Sequence, residues 1–196
     1  MNSKEQVEEK VLVQTSHMTP DTIINFWFEE IDPKYHWVKD PDFDEQLRLC
    51  FSPLLQQAKA GELYHWRTTP QGRLAEIIVL DQFSRNIYRD TPQAFEADPM
   101  ALILAQEAVA CRVDTELKAK QVPFLLMPYM HSESKRIHEM AIILFSREAA
   151  LVSLNFEERH KAIIDRFGRY PHRNTILGRS STADELEFLS QPGSSF

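Results

Sequence analysis

The sequence is poor in cysteine, in glycine and in long hydrophobic runs, and each shortage excludes a class of protein. Its two cysteines, Cys50 and Cys111, have neither the spacing of a metal site nor a catalytic signature, and they suit a reducing compartment. Cys50 lies close in sequence to Leu47 and Phe51, so we predict that it is buried. Five glycines in 196 residues provide few tight turns, which argues against a fold of many strands. No run approaches about 18 apolar residues, so no membrane span is predicted.

Positive charge is also scarce, because 22 lysines and arginines face 29 acidic residues and leave a net charge of −7. Binding along nucleic-acid phosphates needs a basic face, so nucleic acid is not an expected partner. The first ten residues contain five charges and no apolar core, unlike a secretory signal. Without a signal or a membrane span, the expected location is cytoplasmic.

Helical spacing of apolar residues dominates the rest of the sequence. Hydrophobic residues (43%) and charged residues (26%) occur in globular proportions, and no linker-like stretch divides the chain. We predict a polar N-terminal extension over residues 1–18 and a single all-α domain over residues 19–196. Seven or eight helices are expected to pack as antiparallel hairpins. Predicted helices begin at about residues 20, 42, 70, 98, 133, 156 and 182, and a segment at 123–130 is expected to be broken by Pro123 and Pro128.

The first group of residues that could carry chemistry lies in the segment LDQFSRNIYRD, residues 80–90. Asp81, Arg85 and Arg89 recur at intervals of four and are predicted to share one helix face. Gln82 and Asn86 form the adjoining stripe. Three interpretations stay open for this group: a solvated ion pair, a buried structural network, and a ligand site.

The second group is a local positive pole over residues 166–179. Gly168 is predicted to end a helix with a positive φ, and Pro171 to stiffen the next turn of the chain. Arginine forks match the geometry of carboxylate and phosphate groups, so an anion site is one interpretation. The alternative is that the arginines cap helices and pair with Asp81, Asp90 or Glu133. The members of this group are Arg166, Arg169, Arg173, Arg179, His172 and Asn174.

The third group is the segment PYMHSE, residues 128–133. His131 could act as a general base or as a metal ligand, with Glu133 nearby. The alternative is that Ser132 caps a helix over about 133–152 and that Glu133 favours its positive end. The sequence contains no zinc signature of the HExxH kind, no phosphate-binding glycine loop, no GxSxG and no CxxC. We therefore predict no metal and no cofactor.

Three stretches taken together resemble a known family. LAEIIVLDQFSRNIYRDTPQAFEADPMAL, PFLLMPYMHSES and RFGRYPHRNTILGRSSTADELEFL resemble the bacterial domain of unknown function 924, over about residues 20–196. The resemblance implies an all-helical fold similar to tetratricopeptide-like superhelices, and it implies no activity. Ser84 stands where proline is expected in the family, a departure that should only relax one turn of helix.

These observations give three hypotheses about function. The favoured one is a pocket for a small anionic ligand with acid–base chemistry; the others are a tetratricopeptide-like module that binds a protein partner, and a purely structural network. The candidate catalytic residues are Asp81, His131 and His172. The candidate ligand-binding residues are Gln82, Arg85, Asn86, Arg89, Glu133, Arg166, Arg169, Arg173 and Asn174.

Overall fold

The computed structural model describes residues 18–194, and throughout this range the regular elements are helices, with no strand. The all-α class predicted from the sequence is confirmed; the predicted extension lies outside the described residues except for Met18. The helices are α1 (α-helix Pro20–Asn25 continued by a π-helical turn, Phe26–Glu30), α2 (Pro41–Lys59), α3 (α-helix Pro70–Ile78, a π-helical turn Val79–Phe83, and Ser84–Ile87), α4 (Asp98–Ala110), α5 (Val122–Met130), α6 (Lys135–Phe145), α7 (Leu154–Phe167) and α8 (Ala183–Leu189). Short 3₁₀ turns cover Pro33–His36, Tyr64–Thr68, Pro92–Phe95, Val113–Thr115, Glu148–Ser153 and Pro171–Arg173.

Small polar side chains start several of these helices. The Thr19 hydroxyl accepts the Thr22 backbone N–H at the start of α1, and Thr69 caps α3 in the same way. Thr182 and Glu185 form the predicted capping box of α8. A side-chain cap of this kind satisfies one of the backbone donors that the first helical turn leaves unpaired.

Two predictions about the middle of the chain were wrong. Residues 123–130 do not break: α5 is continuous, because Pro123 lies in its first turn, where the missing N–H would be unpaired anyway. Pro128 lies inside the same helix and removes a single hydrogen bond. The next helix is shorter than predicted, since α6 ends at Phe145 and gives way to a 3₁₀ turn; its N-cap position is held by Ser134 rather than Ser132.

Helix α5 is the centre of the molecule, and all nine of its residues are buried. It packs against α4, α6 and α3, while α2 packs along α3 and α7 along α6. A helix that is apolar on every side is a core helix. Its end at Met130 therefore places His131, the next residue, at a fixed point inside the fold.

The position predicted for Cys50 was also wrong, because both cysteines are exposed. The buried face of α2 is formed by residues spaced at three and four, including Phe43, Leu47 and Leu54. Cys50 lies at the margin of this stripe and faces solvent. Within residues 18–194, no helix combines the length and the apolar character needed to cross a membrane.

Candidate functional site

The π-helical turn of α3 carries a buried carboxylate. All five residues of this turn are buried, and two of them, Asp81 and Gln82, are polar. The Gln82 side-chain amide donates to Asp81 Oδ2 at 2.6 Å. Arg85 approaches Asp81 from the next turn, with Nη1 3.2 Å from Oδ1 and 2.9 Å from the Asp81 carbonyl. The carboxylate predicted from the LDQF segment is thus enclosed and fully hydrogen-bonded.

Asp81 also holds the imidazole of His131. Its Oδ1 lies 2.7 Å from His131 Nδ1. Burial favours a neutral acid, but Arg85 and His131 hold the pKa of Asp81 well below its usual range. An ionised carboxylate only accepts hydrogen bonds, so Nδ1 carries the proton. Burial and the nearby Arg85 lower the pKa of His131, so the ring is neutral near pH 7 and Nε2 has a lone pair.

Asp98, at the start of α4, joins the two predicted arginine segments. Arg85 donates to both of its carboxylate oxygens, at 2.9 and 3.1 Å. Arg173 reaches the same carboxylate over a longer distance, 3.3 Å from Nη1 to Oδ2. Burial and the neighbouring Arg85 lower the pKa of Arg173. We call Asp81, Arg85, Asp98, His131 and Arg173 the site cluster.

The Arg173 guanidinium is held between two aromatic rings. Its central carbon lies 4.5 Å from the ring centroid of Phe95 and 4.7 Å from that of Tyr170. Both distances fall within the range of cation–π attraction. The side chain is only 7% exposed, so its position is set by packing rather than by solvent.

Three successive backbone carbonyls at the end of α5 each accept a hydrogen bond from a side chain. The Tyr170 hydroxyl donates to the Met130 carbonyl, Arg173 Nη2 to the His131 carbonyl at 3.1 Å, and His138 Nε2 to the Ser132 carbonyl at 2.8 Å. Carbonyls at a helix C-terminus lack partners within the helix. The backbone that carries His131 is therefore fixed on both sides.

His138 is in turn held by a buried carboxyl group. Its Nδ1 lies 2.7 Å from Glu157 Oε1, and both side chains are inaccessible to solvent. Burial raises the pKa of Glu157. Because a carbonyl oxygen can only accept, the His138 proton on Nε2 is required by its contact with Ser132. The contact with Glu157 therefore fixes the orientation of the His138 ring, which donates to the backbone carbonyl of Ser132 next to His131.

An open pocket of about 570 Å³ lies over the site cluster. Its polar corner contains His131, Arg173 and Asp98 from the site cluster, together with Ser132 and Glu133. Most of the remaining lining is apolar, and we call these six residues the apolar wall: Pro92, Phe95, Pro99, Leu102, Pro128 and Leu177. The polar residues Gln93 and Glu96 complete the lining. Concave surfaces with a few convergent polar groups on an apolar lining are the usual form of small-molecule sites.

Asn86 and Arg89 lie away from this pocket and face α2. Asn86 Nδ2 donates to Asp44 Oδ1 at 2.8 Å, and Arg89 binds the same carboxylate through Nε and Nη2. The prediction that Arg89 shares a helix face with Asp81 and Arg85 was wrong, because α3 ends at Ile87. Asn86 thus joins α3 to α2, and Arg89 joins the segment after α3 to α2.

Glu133, Arg169 and Asn174 fasten the C-terminal segment. Arg179 donates to both oxygens of Glu133, at 2.6 and 2.9 Å, and its Nε donates to the Asn174 side chain at 3.0 Å. Arg169 forms the same kind of fork with Glu185, at 2.6 and 2.8 Å. Arg169 lowers the pKa of Glu185 to about 2. We call these five residues the tail clamp; the sequence-based pairing of an arginine with Glu133 agrees with it.

Two further candidates have separate surroundings. Arg166 is exposed, and its guanidinium lies 4.6 Å from the ring of its neighbour Phe167. His172 packs on Tyr170, with 5.6 Å between ring centroids, and burial with the adjacent Arg173 lowers its pKa to about 4. Gly168 has the predicted positive φ, at 70°, and ends α7.

Sequence analysis missed Asp98, Phe95 and Tyr170 as members of the site. Asp98 was interpreted only as the start of a helix, although an acidic residue at that place is also a ready partner for an arginine. The two rings gave no signal, because aromatic residues in apolar surroundings are usually core. Among the described residues, no group of three or more His, Cys, Asp or Glu side chains is placed to hold a metal ion.

Comparison with known proteins gives a family without an assigned activity. A solved structure of a protein of unknown function from Agrobacterium tumefaciens has 32% sequence identity to this chain and a TM-score of 0.82, and the match covers 87% of this chain and 96% of that one. No curated protein matches the chain. The sequence model of the bacterial proteins of unknown function named DUF924 matches residues 23–193. The chain therefore belongs to the DUF924 family, as the three sequence stretches indicated.

Proposed function

We propose that the pocket over the site cluster binds a small ligand that carries a carboxylate or phosphate group, and that His131 can take a proton from it. The observation that carries this proposal is the 2.7 Å contact between Asp81 and His131 Nδ1 at the edge of the pocket. This contact leaves Nε2 as the ring nitrogen that meets a ligand. A carboxylate that orients a histidine in this way is the arrangement that general bases use.

Arg173 is the member of the cluster that would bind the anionic group. Arg85 is occupied by a two-pronged pair with Asp98, whereas Arg173 meets the same carboxylate over 3.3 Å and lines the pocket. A ligand oxygen can replace this weaker contact. The anion site thus rests on a single arginine rather than on the whole positive segment.

A thermal-shift screen of carboxylated and phosphorylated metabolites tests the proposal. A compound that raises the melting temperature of the natural protein should have no effect on Arg173→Ala and a reduced effect on His131→Gln. Arg166→Ala is the matched control, because it removes the same charge from an exposed position. Equal binding by all variants would overturn the proposal.

A second variant covers the case in which Arg173→Ala fails to fold. Arg173→Lys keeps the positive charge but lacks the planar fork that can bind a carboxylate or phosphate through two hydrogen bonds. It should therefore fold and bind the same compound at least tenfold more weakly. Full binding by a folded Arg173→Lys protein would count against Arg173 as the anchoring group.

A second candidate is a module that binds a protein partner, and an exposed aromatic pair favours it. Trp37 is 64% exposed and stacks on Phe156, which is 53% exposed, with ring centroids 6.5 Å apart. Val38 and Val152 are also exposed. If this surface binds a partner, Trp37→Ser should lose a protein that copurifies with the natural chain, while Tyr64→Ser, at another exposed aromatic, should keep it. Retention by both variants would reject this candidate.

A further inference from the structure

We infer that the ligand is a hydroxycarboxylic acid with a hydrocarbon body. This inference rests on the proposed function of the same pocket and specifies the chemical class of its ligand. It has three parts, a hydroxyl group, a single carboxylate and an apolar body, and each is derived from a different group of residues in the pocket.

The hydroxyl group is inferred from the protonation of His131. Its Nδ1 proton is directed at Asp81, so Nε2 offers a lone pair and no proton to the pocket. A lone pair is satisfied by a ligand that donates a hydrogen bond. Ser132 and Arg173 beside it can meet ligand oxygens, but neither replaces a donor at this nitrogen. A hydroxyl on the ligand supplies that donor.

The choice of carboxylate over phosphate is inferred from the charges around Arg173. This side chain provides one positive charge, and Asp98 already faces it. Arg85 is also paired with Asp81, and Arg179 is paired with Glu133. The pocket also borders the C-terminal end of α5, where the helix dipole is negative. A phosphate dianion would therefore bring one more negative charge than a carboxylate into a pocket where Arg173 already faces Asp98.

The hydrocarbon body is inferred from the apolar wall. Its six residues provide no hydrogen-bonding side chain, and three of them are prolines, which also lack a backbone donor. A polar ligand group placed against these six residues would lose water without gaining a partner. Methylene groups placed there are stabilised by about 0.8 kcal/mol each when fully buried, roughly a fourfold gain in affinity per group.

The test compares four probes by ligand-detected NMR titration on the full chain: 2-hydroxyhexanoate, hexanoate, lactate and hexyl phosphate. We expect 2-hydroxyhexanoate to bind at least tenfold more tightly than each of the other three. Hexanoate lacks only the hydroxyl and lactate lacks most of the body, so each isolates one part of the inference. Hexyl phosphate lacks the hydroxyl as well as the carboxylate, so it is compared with hexanoate, which should bind more tightly.

Two variants on α4 test the apolar wall separately. Leu102→Ser changes the wall, whereas Ile103→Ser changes the adjacent residue, which is 63% exposed. Leu102→Ser should weaken 2-hydroxyhexanoate binding at least fivefold and leave lactate unchanged, while Ile103→Ser should bind as the natural protein does. Equal loss in both variants would show that the wall does not contact the body.

The outcomes separate the inference from the function on which it rests. Tighter binding of hexyl phosphate, hexanoate or lactate, lost in Arg173→Lys, would overturn the ligand class and keep the proposed function. If none of the four probes and no compound of the metabolite screen binds, both fail.

Discussion

The site cluster and the tail clamp both pair arginines with carboxylates, yet they leave different groups open to the surroundings. In the tail clamp, Arg179 meets Glu133 and Arg169 meets Glu185, each through two parallel hydrogen bonds. In the site cluster, Asp81 holds one nitrogen of His131, and the other ring edge borders a pocket.

The residue types in a charged motif do not by themselves show whether the motif joins helices or binds a ligand. An arginine whose fork is filled by a carboxylate joins helices, and its two-pronged edge is no longer open to a ligand. A histidine whose partner occupies one nitrogen is oriented for a second contact. The structural and the ligand-binding interpretations of the sequence therefore apply to different members of one set.

The largest expected effect is in the site cluster. Asp81→Asn should lower the free energy of unfolding by about 3–5 kcal/mol, because Arg85 loses one of its two carboxylate partners and His131 loses its charged acceptor. Urea denaturation at pH 7 measures it. Asp165→Asn is the matched control, since its pair with Lys161 is exposed and should contribute less than about 1 kcal/mol. Equal losses of unfolding free energy in both variants would show that the buried contacts of Asp81 stabilise the fold no more than the exposed pair does.

A smaller loss is expected in the tail clamp. Glu185→Gln should lower the free energy of unfolding by about 1–3 kcal/mol at pH 7. A free glutamate has a pKa of about 4.3, and Arg169 lowers the pKa of Glu185 to about 2 in the folded chain. Its stabilisation is therefore present above about pH 4.3 and is lost as the pH falls towards 2.

Denaturation curves at several pH values should show this dependence. The natural protein and Glu185→Gln should differ by a constant amount from pH 7 to about 5 and converge below that. The variant should leave the NMR signals of His131 unchanged, because the tail clamp does not contact that ring. Altered His131 signals would show that the two regions are coupled.

The buried His160 should make the stability of the folded chain depend on pH. Burial lowers its pKa to about 3, below the value of about 6.5 for a free histidine. Below pH 6.5 the unfolded chain binds a proton that the folded chain does not. The folded state therefore loses stability as the pH is lowered. Between pH 7 and 5 the natural protein should lose about 1–2 kcal/mol from this residue. His160→Gln should show a shallower fall over the same range; an identical slope would contradict the assignment.

The smallest expected effect is at Arg166, the exposed member of the positive segment. Arg166→Ala should change the free energy of unfolding by less than about 0.5 kcal/mol, since its contact with Phe167 is a surface one. The same urea assay measures it. A loss above about 1 kcal/mol would show that the segment acts as one unit.

Much of the fold could be predicted from short sequence patterns, because helix caps and helix ends are determined by neighbouring residues. The start of α1 at Thr19, the capping box at Thr182 and the positive φ of Gly168 are each determined by a few adjacent residues. The prediction that residues 123–130 form a broken segment was wrong, because distant contacts rather than adjacent residues determine the structure there. Nine buried residues stabilise α5 through contacts across the molecule, and these outweigh the proline in its interior.

The site could be predicted only where its partners are close in sequence. Asp81 and Arg85 are four residues apart, and helical spacing predicts their pairing. Asp98 and Asp44 could not be assigned as partners of Arg173 and Arg89, because the fold brings them together across 75 and 45 positions. Spacing alone also could not show that α3 ends before Arg89.

The π-helical turn of α3 has a consequence for the way this site could be gained or lost in evolution. A π turn accommodates one more residue than an α turn, and such insertions often occur at functional sites. Deletion of one apolar residue of this turn, such as Leu80, would restore the α-helix and rotate the C-terminal part of α3 by about 100° relative to its N-terminal part. Every polar letter of the motif would survive, but Asp81 would no longer face His131 as Arg85 faces Asp98. A homologue that lacks this one position would keep the signature and lose its geometry.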